Sequence, residues 1–463
     1  MKDTKVVERD QRGAAMLRRQ FLYGDGSLFD QVLDDQTLAT VLEAHGKPGR
    51  RRLYPTLDTL RLFIGQVLSV DRACQDVVGR RLFERIAQGQ SANALNTGSY
   101  CDARSRLPLA LPVTLGVTLG AQLESLTPAH WRWQGRCVKL FDGTTVSMPD
   151  TPDNQQAWPQ SREQKPGLGF PLARIGALIG LASGALLHYQ VAACEGKGTG
   201  EQSLLRDLLV HLDTDDVLLA DALLATWWII EAASRRGVDV VMAQHGRRIT
   251  DFTRGSRLGK NDHVVQWPRP PKPKTMSTED YARYPDFIAL REIKVDGRIL
   301  VTTLLDPGYA PPRTLDALYR MRWNIEVDFR IIKITLQMDV LRCKSRAMVE
   351  KEIAVCLLAY NLVRWAMAKA ATLTDVLPRA LSFTGAKRLL AAFSDQLRRT
   401  PDDQIRTLIA TVLASIATLQ LPYRPDRIEP RAKKRRPKNL PMLTVPRHVA
   451  RELIRDQRLN RVP

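Results

Sequence analysis

Two spacings of apolar residues alternate along this chain, and the point where one gives way to the other marks its organisation. From Leu57 through Leu60, Phe63 and Ile64 to Val67 and Leu68, apolar side chains return every three or four positions, the period of a helix with one buried face. Residues 99–106 read as a further, basic helix, so the region 1–130 is expected to be mostly helical. Near Cys137 the pattern changes. Short, nearly unbroken apolar runs at 137–141, 217–220 and 238–242 have the length and composition of buried strands, and 173–181 with 185–193 read as a hairpin turning at Ala182-Ser183-Gly184. Between them, 201–212 and 223–236 carry helical spacing, the second closed by Gly237. Residues 245–310 interrupt this order with a Pro-rich stretch from Trp267 to Lys274 and then strand-like runs at 287–295 and 299–305. Helical spacing returns afterwards and is clearest over 353–367.

From Cys137 onward the order is strand, hairpin, helix, strand, helix, strand, which is the order of a ribonuclease-H-like α/β fold. The expected organisation is a helical N-terminal region over 1–130 with the look of a DNA-binding module, although no helix-turn-helix is legible in it. A ribonuclease-H-like catalytic core then comprises 131–244 and 311–370, interrupted by a β-rich insertion over 245–310. A helical C-terminal region with a basic tail fills 371–463. Two aspartates stand where strands are expected to end: Asp142, before Gly143-Thr144, and Asp221, after Val217-Leu218-Leu219-Ala220. Such strand ends are where this fold assembles carboxylates. Each is equally readable as an ordinary strand-end residue, and Asp221 as a plain helix N-cap.

Charge narrows the partners. Across 463 residues there are 69 Lys and Arg against 49 Asp and Glu, a formal net charge of +20, which favours polyanions and nucleic acid first among them. The last forty residues, 424–463, hold thirteen Lys/Arg and four Asp/Glu. Two basic runs stand out, one with Arg50, Arg51 and Arg52 and the other with Lys433, Lys434, Arg435 and Arg436. They read either as solvated tails or as phosphate contacts that carry little sequence information. Six scattered cysteines without a CxxC pair argue against a zinc ribbon and against a disulfide framework. Residues 175–194 lack any Asp, Glu, Lys or Arg, but Gly176, Gly180, Ser183 and Gly184 make two strands and a turn the better reading than a membrane span. The expectation is a soluble cytoplasmic protein, associated with the nucleoid and not with a membrane.

The segment from Leu318 to Lys333 carries the most chemistry. Tyr319, Arg322, Glu326 and Lys333 stand at offsets 0, 3, 7 and 14, which on one continuous helix fall within a stripe of roughly 60°. A carboxylate flanked by a guanidinium, an ammonium and a phenol suits an anionic, metal-bound substrate such as a DNA phosphate. The plainer reading is a solvated face with Arg322–Glu326 pairing. Trp323, off the stripe, is expected in the core, as are Trp227 and Trp228.

The spacing Tyr319-x2-Arg322-x3-Glu326-x6-Lys333 resembles the Tyr-Arg-Glu-Lys signature of bacterial insertion-sequence transposases with an Asp-Asp-Glu triad. Asp142-Gly143-Thr144 after a strand, Leu218-Leu219-Ala220-Asp221 and the insertion before Glu326 are similar to that family's layout over about residues 137–370. The resemblance implies that Asp142, Asp221 and Glu326 bind two Mg²⁺ ions (or Mn²⁺), and that Tyr319, Arg322 and Lys333 hold phosphates of the element end. It implies cut-and-paste transposition on double-stranded DNA, the terminal inverted repeats and a target, by a homodimer assembled on DNA. Some relatives stack a flipped base on a tryptophan in the strand before the Glu helix; here that strand, 298–303, has no aromatic residue, and Trp267 lies at a different spacing. A ribonuclease-H-like nuclease without strand transfer, or a non-catalytic DNA-binding derivative, remains open.

Overall fold

Among the residues described by the computed structural model (53–456, apart from 88, 90–94, 126, 375, 401 and 423–440), nine strands join in one mixed sheet. They are β1 (Val138–Ser147), β2 (Leu172–Gly180), β3 (Leu186–Ala193), β4 (Val217–Ala220), β5 (Asp239–Ala243), β6 (Ser256–Gly259), β7 (Asp262–Pro268), β8 (Phe287–Val295) and β9 (Arg298–Thr302). Side by side they run β3-β2-β1-β4-β5-β9-β8-β7-β6. β1 pairs antiparallel with β2 and parallel with β4, and β4 is parallel to β5. All four residues of β4 are buried, as an apolar run in the parallel centre of a sheet covered on both faces must be. The uncharged stretch 175–194 is the β2–β3 hairpin, turning through Gly184 at φ +70°.

The strands of 245–310 do not form a sheet of their own. β5 pairs antiparallel with β9 from Val241 to Ala243, and β8, β7 and β6 follow outward from β9. Trp267, on β7, is buried at 2% exposure and donates its Nε1 hydrogen to Glu292 at 2.7 Å.

The long helix Arg346–Ala371 is long and apolar enough to cross a bilayer, yet 89% of its apolar window is buried inside the protein. It packs against the helices Thr56–Leu68, Ala110–Ser125, Phe383–Arg399 and Asp402–Ala417. A helix apolar around most of its circumference has to be enclosed in this way. Asn361 pins it to the sheet: its Nδ2 donates to the carbonyls of Gly116 and Leu186, and its Oδ1 accepts the Leu186 N–H. Gly120 makes the approach possible, because a Cβ there would stand 2.2 Å from the Leu186 carbonyl oxygen.

Several local expectations shift. The helix foreseen over 201–212 ends at Leu208 and tightens into a 3₁₀ turn, Leu209–His211. The one foreseen over 223–236 is split into a 3₁₀ turn, Ala222–Leu224, and a helix, Trp227–Ser234, capped by the Thr226 side chain. The basic helix is present as Gly98–Arg106, but Arg104 turns inward, over the Phe63 ring at 4.1 Å and onto the sulfurs of Cys74 and Cys343. Arg50, Arg51, Arg52, Lys433, Lys434, Arg435 and Arg436 lie outside the described residues.

Candidate active site

The pairing of β1 with β4 stops at Leu140 opposite Leu219, whereas β1 itself runs on to Ser147. Asp142 therefore lies within β1, not at its end, because the ladder with β2 continues from Lys139 to Ser147. Two residues beyond the Leu140–Leu219 pair stand Asp142 on one strand and Asp221 just past the other. Side chains alternate along strands, so both aspartates leave the same face of the sheet. Asp221 is extended, at φ −77° and ψ 174°, and its Oδ1 accepts the N–H groups of Leu223 (3.0 Å) and Leu224 (3.2 Å). It follows directly on the end of β4 and caps the 3₁₀ turn Ala222–Leu224.

Glu326 comes from a segment that is not one regular helix. Pro312–Arg320 is α-helical, Met321–Trp323 is a 3₁₀ turn, Asn324–Arg330 is α-helical again, and Ile331–Thr335 widens into a π turn. The stripe expected on a single helix is thus overwound at one place and underwound at another. Arg322 is the residue that joins the parts: its Nη1 lies 3.3 Å from Asp142 Oδ2 and its Nη2 3.4 Å from Glu326 Oε1. Tyr319 is only 8% exposed, lies against Arg322, and has its hydroxyl pushed to higher pKa chiefly by burial. The Arg298 guanidinium stands 5.9 Å from the centre of its ring. Lys333 is half-buried on the π turn.

Trp323 corrects the reading that placed it in the core. It is 50% exposed, because the 3₁₀ turn swings it outward beside Arg322. Trp227 is buried, and Trp228 meets it edge-on at 4.9 Å. Trp267 cannot serve as an exposed stacking platform, since the Arg248 guanidinium covers its ring at 3.4 Å.

A further carboxylate, Glu201, opens the helix Glu201–Leu208 and lies directly against Gly143. Burial pushes the Asp142 carboxyl up to about 6; the Gly143 N–H and Arg322 oppose this, and Glu201 and Asp221 add to it. Glu201 is also raised, first by burial and then by Asp221, with Arg174 opposing. The sequence by itself assigns Glu201 no role, because an acidic residue in a first helical turn is what the helix dipole favours anywhere. The signal that could have found it is the glycine directly after Asp142.

An all-oxygen donor set of this kind suits Mg²⁺ or Mn²⁺. As they stand, no three His, Cys, Asp or Glu side chains among the described residues are close enough to grip one ion. Instead the Arg322 guanidinium supplies positive charge between Asp142 and Glu326. The residues fit divalent ions chemically, with the carboxylates still apart.

Residues 133–362 match the family described as Transposase DDE domain. The chain is similar to the transposase InsG for insertion sequence element IS4 of Escherichia coli (strain K12), with 29% identity over 332 residues, 69% of this chain and 73% of that one. It also aligns with the cryo-EM structure of the piggyBac transposase synaptic complex with hairpin DNA at a TM-score of 0.42 and 9% identity, over 86% of this chain and 85% of that one. That likeness is too loose to bear on the site.

Proposed function

The chain belongs to the DDE transposases, and from that premise we propose that Asp142, Asp221 and Glu326 are its catalytic carboxylates, set in a ribonuclease-H-like core. One observation carries the assignment: Asp142 and Asp221 share a register across adjacent strands, and Arg322 reaches from Asp142 to Glu326. The three carboxylates would hold two divalent ions, which when bound activate the attacking oxygen and stabilise the leaving one.

The substrate is double-stranded DNA, first the terminal inverted repeats of the element and then a target. Water attacks a phosphodiester at the element end, a P–O bond to the 3′ oxygen breaks, and the element keeps a 3′-OH. That hydroxyl then attacks a target phosphodiester and displaces a target 3′-OH, one bond forming as one breaks. Arg322, planar and forked, turns from the carboxylates to the oxygens of the phosphate, while Lys333 adds a point charge. Tyr319, largely buried, backs Arg322 and offers its hydroxyl to the same phosphate. Trp323, half-exposed beside Arg322, gives the DNA an apolar surface to lie against.

Joining two ends to one target requires two active sites, so a homodimer assembled on DNA is the simplest solution. Light scattering should register a two-protein, two-end complex only when end DNA is present. The decisive experiment compares Asp142→Asn, Asp221→Asn and Glu326→Gln with the wild-type protein on end DNA in Mg²⁺. Each should abolish cleavage and joining while still binding the duplex. Near-wild-type cleavage by any one of them removes that residue from the site. Cleavage by the wild-type protein without any joined product, from one protein on one end, favours a simple nuclease.

A further inference from the structure

β4 ends at Ala220 while β1 continues to Ser147, so the β4 side of β1 has no strand against it from Phe141 to Val146, until Ser147 bridges to Val340. Asp142 and Asp221 face this opening from one side of the sheet. The residue after Asp142, Gly143, presents its Cα to the opposite side, and there Glu201 lies against it. A Cβ on Gly143 would stand 2.5 Å from Glu201 Oε1 and 2.7 Å from Glu201 Cγ, so any side chain at 143 would displace Glu201. The glycine leaves room for the close passage of a carboxylate, and its backbone needs no left-handed conformation.

The other carboxylates of the site are partly compensated. Asp142 has the Gly143 N–H and Arg322, Asp221 has two backbone N–H groups, and Glu326 has Arg322. Glu201 has no ion pair or side-chain hydrogen bond among the described residues; it is half-buried and feels the charge of Asp221, which Arg174 on β2 offsets only from a distance. A half-buried carboxylate held unpaired beside two others is costly unless a cation completes the arrangement.

We propose that Glu201 is a fourth carboxylate of the catalytic centre, approaching the divalent ion held by Asp142 and Asp221 from the Gly143 side of β1. This rests on the reading of Asp142 and Asp221 as ligands. Glu201 enters the opening left by β4, either directly on the ion or through one of the waters such ions retain. Gly143 is its counterpart, kept small so that it can reach.

The test measures Mn²⁺ binding to the full-length protein by calorimetry and by the loss of the free-ion spin signal, with and without duplex DNA. Melting temperature is followed in EDTA and in Mn²⁺. Glu201→Gln should weaken Mn²⁺ binding by roughly 10–100-fold and shrink the Mn²⁺-induced rise in melting temperature. It should melt in EDTA no lower than the wild type, because a repelling charge has been removed. Gly143→Ala should weaken Mn²⁺ binding in the same sense by pushing Glu201 aside. Asp142→Asn serves as the reference. If it loses Mn²⁺ while Glu201→Gln binds like the wild type, the inference about Glu201 is overturned and the site reading stands. If both bind like the wild type, the site reading falls as well.

Discussion

Asp328 and Arg364 meet in the interior, Arg364 Nη2 standing 2.5 Å from Asp328 Oδ1, two residues beyond Glu326. Asp328 is fully buried and also receives both Nη groups of Arg379, which in turn binds the carbonyls of Gly180 and Leu181 at the end of β2. One carboxylate thus ties the Glu326 helix to the long helix Arg346–Ala371 and to the sheet. Removing it leaves two guanidinium groups without their shared partner, and breaking a buried pair in this way costs about 3–5 kcal/mol. Asp328→Ala should lower stability by that amount in urea unfolding, with Asp328→Asn falling between it and the wild type. A loss under about 1 kcal/mol for Asp328→Ala would mean that the helix is held by apolar packing alone.

Arg322 offers a test of geometry against charge. Arg322→Ala should reduce cleavage by roughly 10²–10³-fold, the usual consequence of removing one preorganised donor from a reacting centre. It should also flatten the salt dependence of duplex binding by the equivalent of about one phosphate. Arg322→Lys should restore the salt dependence and little of the cleavage, because an ammonium cannot span two oxygens as a guanidinium does. Near-wild-type cleavage with lysine at 322 would show that charge alone suffices.

His188 and His211 stack with ring centres 3.6 Å apart and planes 5° from parallel. Burial, then the neighbouring His211, lowers His188 to about 4. His211 is lowered too, by burial and by Arg236. A base with a depressed folded pKa contributes stability that is complete above its unfolded value and is lost as pH falls toward its folded one. The melting advantage of the wild type over His188→Gln should therefore shrink between about pH 6.5 and pH 4. Taking the difference between the two proteins cancels Asp142 and Asp216, whose raised values act in the opposite direction. A gap that stays constant over that interval would place the His188 titration elsewhere.

Replacing Lys433, Lys434, Arg435 and Arg436 with alanine should weaken binding to any duplex to a similar degree. The slope of log K against log salt should drop by roughly 0.9 for each phosphate that is no longer neutralised. Weakening confined to the element's own ends would show that these side chains read sequence.

The strands and the place of Asp221 at the end of β4 are legible in the sequence because their signals are local, whereas the continuation of β1 past Asp142 to Ser147 is not. Val217 to Ala220 is an unbroken apolar run that stops at a carboxylate, and such a run has few other folds open to it. The Leu318–Lys333 segment is legible as helical, but its irregularity is not. An α, 3₁₀ and π turn share nearly the same apolar spacing over so few residues, so composition does not reveal where the winding changes. That change is what brings Trp323 to the surface. Arg104 escapes for a different reason: a basic side chain with a long apolar stem can be buried against an aromatic ring, and charge counting sees only its head. The placement of Glu201 against Gly143 escapes because the two stand some sixty positions apart in the sequence.

The junction between β5 and β9 bears on how this protein can be cut and rebuilt. The chain leaves the core after Ala243 and returns through β9, which lies hydrogen-bonded along β5 before leading into the helix Pro312–Arg320. The intervening residues therefore cannot be excised as a cassette. A shortened chain that also lost β9 would leave the N–H and C=O groups of β5 as a raw edge, inviting another molecule to pair there. A trimmed enzyme should keep β9, β8 and β7, whose Asp262 holds the buried Arg291, and shorten only beyond them, at β6, which lies exposed at the rim of the sheet.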